Sequence, residues 1–179
     1  MRKEIRVFSL DNIAGIPAHP LIVHIPVVLV PLGFVLALVA IWKRFRTQFL
    51  IAAAIAAGLG GIGALLAGGT GEGLQRARAG ADRQLVREHT QAGSQAQGGA
   101  GVFAAVVIIA AAEEVLRRKG FLAKVKMPKW APSVLLAASV ATGAVGTYMV
   151  YDAGHTGAKS VWNGVKAVGE GGERGGDDD

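Results

Sequence analysis

Residues 15–34 read GIPAHPLIVHIPVVLVPLGF, placing two histidines and four prolines at the mouth of a long apolar run. An ionisable side chain is costly in hydrocarbon, and a proline inside a helix removes a backbone hydrogen bond. The stretch therefore reads as the entry of a membrane helix that keeps its polar residues near water. The run continues to Trp42, and three more apolar blocks follow at about 49–68, 99–116 and 132–151. Each block, at about 18–22 residues, has the length a helix needs to cross ~30 Å of hydrocarbon. The only charges inside the four blocks are Glu113 and Glu114. With 51% hydrophobic residues and a mean hydropathy of +0.40, the chain reads as an all-α, polytopic membrane protein. The expected fold is a bundle of four transmembrane helices.

The first apolar block starts late, is long enough to span, and lacks a small-residue cleavage site behind it, so it does not read as a signal peptide. There is no cysteine, which rules out disulfides, thiolate metal sites and Cys-attached haem. The net charge of +6 is a topology signal, and no nucleic-acid partner is expected. The short segments around Lys43, Arg44 and Arg46 and from Arg117 to Lys129 hold nine of the nineteen basic residues. Basic loops stay in the cytoplasm, so both termini and the segment 70–98 are expected outside, in a bacterial inner membrane.

Residues 1–18 then form an outer arm, with some helix over Ile5–Leu10. Residues 19–162 form the four-helix membrane domain with spans at about 21–42, 49–68, 99–116 and 132–151, and 163–179 a Gly- and Asp-rich tail. Pro20 suits a first helical turn, whereas Pro26 and Pro31 are expected to bend the first span. Small residues at Ala52, Ala56, Gly60 and Ala64, at Ala53, Ala57 and Gly61, and at Ala138, Thr142 and Gly146 form stripes that let helices approach closely in lipid. A helix is expected from about Asp82 into the third span. A short outer amphipathic helix is expected over Val161, Trp162, Val165 and Val168. The Gly-flanked "GEG" (71–73) and "GHTG" (154–157) read as helix ends, and Glu113 and Glu114 beside Arg117 and Arg118 as a solvated one. No repeat is evident.

This topology collects all four histidines on the outer side. At ~1.5 Å per residue, His24 lies about 27 Å and His19 about 35 Å from the boundary at Trp42. By the same rise, His155 lies about 35 Å from Pro132 and His89 about 36 Å from Glu113. Imidazole is the commonest metal ligand, and bundles hold cofactors with ligands from facing helices. His24 and His155, on different helices, are the expected cofactor ligands. His19 and His89 are secondary ligands or proton carriers, since His19 and His24 lie roughly 140° apart around a helix. Asp152, Glu72, Tyr148 and Tyr151 are the expected supporting partners. Two axial histidines suit b-type haem, while Zn, Fe or Cu bound with Glu72 and Asp152 is also open. Interfacial histidines that only hydrogen-bond are the plain alternative, as in a cofactor-free structural or accessory subunit. Four helices without a mid-depth charge offer no transport pathway, and nothing decides whether the chain is an enzyme.

At "HPLIVHIP" (19–26), with "GTYMVYDAGHTGAKSVW" (146–162) and His89 ahead of the third span, the chain resembles the bacterial four-helix membrane family named domain of unknown function 2231. The resemblance runs from about Gly15 to Trp162, and His19, His24, His89 and His155 match the polar signature of the family. Relatives are joined to Rieske or cytochrome c-like domains, which implies membrane electron transfer. The expected partners are thus the lipid bilayer and quinone or a redox protein. A homo-oligomer is open.

Overall fold

A computed structural model describes residues 12–13, 16–77, 83–121 and 127–162, with side chains described except over 12–13 and 72–77. Two short strands, β1 (Asn12–Ile13) and β2 (Ile16–Pro17), pair antiparallel with Asn12 opposite Pro17 and Ile13 opposite Ile16. Five helices follow: α1 (Ala18–Ile22), α2 (His24–Val39), α3 (Arg46–Ala77), α4 (Arg83–Arg118) and α5 (Ala131–Trp162). Four candidate membrane spans result, α1 and α2 together forming the first. The expected helix in the N-terminal arm, Val165, Val168 and the tail lie outside the described residues.

Proline accounts for the break between α1 and α2. Pro26 has no N–H to give the Ile22 carbonyl, so the helical ladder skips one bond there. It resumes immediately, with Val23 N–H on His19 O (3.0 Å) and Val27 N–H on Val23 O (3.2 Å). Val23 keeps a right-handed helical backbone (φ −61°, ψ −21°), so the chain is interrupted without reversing direction.

The helices form an up-down-up-down ring in which α2 and α4 each pack on α3 and α5 and touch each other little. Alanine lines much of the interior, with Ala53, Ala57 and Ala100 fully buried. The expected stripes on α3 do face this interior, whereas on α5 the buried line runs through Ser139, Gly143, Gly146 and Val150. Phe103, also fully buried, is the aromatic wedge at the centre. A Cβ on Gly33 would lie 3.2 Å from its ring and one on Gly143 2.9 Å, so α2 and α5 close on it only because both positions lack a side chain. Ile55, Leu59, Ile62 and Leu65 of α3 point outward, each more than half exposed. An apolar outer surface of that extent suits lipid and not water.

Two sequence expectations fail. The glycines at 71–73 and 154–157 do not end helices; α3 continues to Ala77 and α5 to Trp162. At ~1.5 Å per residue, α4 is about 54 Å long, well beyond the ~30 Å hydrocarbon thickness. Val161 and Trp162 form the end of α5, and the rest of the expected outer helix lies outside the described residues.

Glu113 and Glu114 are also not a solvated end: they are 7% and 1% exposed. Thr47 donates to Glu114 Oε1 (3.0 Å), Arg118 Nε donates to the same oxygen (2.6 Å), and Arg117 binds Oε2. The carboxylate thereby joins the start of α3 to the end of α4. Glu113 has a single ion pair, to Arg117 at 3.2 Å, and its Oε1 makes no well-directed hydrogen bond.

Glu114→Ala strands the Thr47 hydroxyl while the half-exposed arginines can turn to water, so a loss of about 2 kcal/mol is expected. Glu113→Ala removes a buried carboxylate whose Oε1 makes no hydrogen bond, so it is expected to cost less than Glu114→Ala, under about 1 kcal/mol. Thermal unfolding in detergent, followed by circular dichroism, measures both.

Candidate functional site

At the end of the bundle opposite Glu114, helix ends bring two of the four histidines together. His19 enters from α1 and His89 from the second turn of α4, their ring centroids 6.0 Å apart and their planes at 78°. Each ring is tied to the next helix by the same means. His19 Nδ1 lies 2.8 Å from the carbonyl oxygen of Ala67 on α3, and His89 Nδ1 lies 3.1 Å from that of Ala153 on α5. A carbonyl can only accept, so the proton is on Nδ1 in both rings. In the neutral ring Nε2 then carries a free lone pair.

Four residues beyond each carbonyl stands a glycine that makes room for the imidazole. A Cβ on Gly71 would lie 3.0 Å from His19 Cε1, and one on Gly157 would lie 2.9 Å from His89 Cε1. One residue before each glycine stands a threonine. Thr70 Oγ1 is 3.1 Å from both Leu66 O and Ala67 O. Thr156 Oγ1 is 2.9 Å from Asp152 O and 3.1 Å from Ala153 O. The shared carbonyl in each half thus serves one hydroxyl and one imidazole.

These elements spell a repeat. Residues 67–71 are AGGTG and residues 153–157 are AGHTG. Each half of the chain is a helical hairpin that supplies one histidine from its first limb and one A-G-x-T-G cradle from its second. The two histidines meet where the halves meet. The signal is present in the sequence, but it emerges only when 67–71 and 153–157 are aligned on Thr70 and Thr156, which reading "GEG" and "GHTG" separately as helix ends conceals.

The other residues singled out from sequence lie elsewhere. His24 is exposed, its Nδ1 2.7 Å from Pro20 O of the preceding turn, and it occupies the side of α2 away from buried Ile22, Pro26 and Val30. His155 is exposed on α5, at the variable position of the second cradle. Its ring stacks on Tyr151 at 6.0 Å and 10°. Tyr148 and Tyr151 are each 67% exposed. Asp152 is half-buried and enters the site through its backbone carbonyl. Glu72 lies in α3 with its side chain outside the described residues. Among the described residues, no three His, Cys, Asp or Glu side chains gather as a metal centre. The pair therefore offers two nitrogen donors.

Gly71→Ala and Gly157→Ala test the cradles. In an exposed helix the change stabilises by up to about 1 kcal/mol, but here each Cβ meets an imidazole, and a loss of about 1–3 kcal/mol is expected. Gly69→Ala and Gly154→Ala, whose Cβ atoms meet nothing within 4 Å, should raise the melting temperature slightly or leave it unchanged.

No curated protein and no solved structure matches the chain. A family model described as "Predicted membrane protein (DUF2231)" matches residues 15–169, a span that takes in both histidines and both cradles. The protein belongs to that family of predicted membrane proteins.

Proposed function

We propose that His19 and His89 would hold a b-type haem and that the bundle serves electron transfer at the outer face of the membrane, with quinone or a redox protein as partner. One observation carries the reading: both imidazoles donate Nδ1–H to a backbone carbonyl and leave Nε2 as the ligand atom. A hydrogen bond of that kind fixes the tautomer and raises the basicity of a ligating nitrogen. The donor set fits the group, because haem iron asks the protein for only two ligands, whereas a zinc or non-haem iron site usually asks for three or more. Gly71 and Gly157 seat the two rings against their helices, and the residues buried nearby at positions 67, 92 and 96 are all alanine. When bound, the haem supplies reversible one-electron chemistry of iron. The chain supplies orientation through Ala67 and Ala153 and a partly buried, water-poor setting.

This reading moves the ligand role from His24 and His155 to His19 and His89. The basic segments 40–46 and 117–130 support an orientation with the histidine pair and both termini outside and the basic loops in the cytoplasm of a bacterial inner membrane.

Protein expressed with a haem precursor and purified in detergent should give a reduced-minus-oxidised spectrum of a bis-imidazole haem. His19→Ala or His89→Ala should abolish it, while His24→Ala and His155→Ala leave it in place. A colourless preparation, or loss on changing His24 or His155 alone, would reject the assignment. The pair would then serve as a hydrogen-bonded latch in a cofactor-free subunit.

A further inference from the structure

The end of the bundle opposite the histidines is where the positive charge of the chain concentrates. Its two connecting segments, 40–46 and 117–130, contain nine basic residues and no Asp or Glu. Even with Glu113 and Glu114 counted, this end carries more positive charge than the +6 of the whole chain. Among the described residues, Arg46 donates to the Ala40 carbonyl (3.3 Å), and the other cations fall into two sets. Arg117 and Arg118 fold onto the buried carboxylates. Lys43, Arg44, Lys119 and Lys129 are exposed and have no carboxylate partner among the described residues. Trp42 and Trp130, 69% and 63% exposed, stand where the apolar surface gives way to these cations. Exposed indoles at that level sit among lipid headgroups.

We propose that this face binds the phosphates of anionic phospholipids through Lys43, Arg44, Lys119 and Lys129. A row of unpaired cations directly beside an apolar outer surface cannot meet a soluble acidic partner without also meeting the headgroup layer. Each basic residue near an anionic membrane surface adds to the attraction. Glu113 and Glu114 are engaged by Arg117 and Arg118, so they leave these four cations unneutralised. The inference is independent of what the histidine pair holds.

The test uses the full chain in a nonionic detergent, with dioleoylphosphatidylglycerol or dioleoylphosphatidylcholine added, retention being read by native mass spectrometry and melting by circular dichroism. Phosphatidylglycerol should be retained at least about tenfold better and raise the melting temperature, each cation contributing about fivefold. The preference should vanish near 1 M salt, where the screening length is about 3 Å. The K43Q/R44Q/K119Q/K129Q variant should lose it, whereas R117Q/R118Q should melt lower without lipid yet keep it. Equal retention of the two lipids, or a preference untouched by salt or by the quadruple change, would overturn the proposal. So would binding of hexaglutamate without binding of phosphatidylglycerol, which would assign the face to an acidic protein.

Discussion

A hydrogen bond from an imidazole N–H to a helix carbonyl, made twice, organises the histidine end of this bundle. Carbonyls within a helix already accept from the residue four positions on, so a second donor must approach from the side, where an ordinary side chain would stand. Glycine at the fourth position removes that obstacle in both cradles. The helices consequently run on through sequences that look like helix ends, because the glycine is there for the neighbouring ring and not for a turn. The intrinsic helix cost of glycine, about 1 kcal/mol, is offset by the contact it allows.

The same logic of omission governs the middle. In lipid there is no hydrophobic gain from bringing helices together, so association depends on close contact. The seating of Phe103 between Gly33 and Gly143 and the fully buried alanines around it supply that contact. At the end opposite the histidines the joint is polar, one carboxylate gathering a hydroxyl and two guanidinium groups. The bundle is thus held by three different kinds of interaction at three heights.

The four spans were legible because a run such as Phe49–Gly68 has one physical reading. The gathering of histidines on one side was legible too, because it follows from topology and rise per residue. Choosing among the four was not. Height places His24 and His155 as well as it places His19 and His89; rotation about the helix axis decides which rings meet, and Pro26 shifts that rotation unpredictably. Glu113 and Glu114 were misread for a related reason. A helix end rich in Glu and Arg is usually solvated, and only the approach of Thr47 from another helix makes this one an interior junction.

The two halves repeat one another in chemistry but not in stiffness. His89 sits on a continuous helix of 36 residues, anchored at its far end by Glu114. His19 sits on a five-residue turn, separated from the rest of its span by the bond that Pro26 cannot make. Tilting that turn forfeits one backbone hydrogen bond fewer than bending an intact helix would, a difference of about 1 kcal/mol. Counted in backbone hydrogen bonds, His19 therefore stands on the softer of the two mounts and His89 on the stiffer.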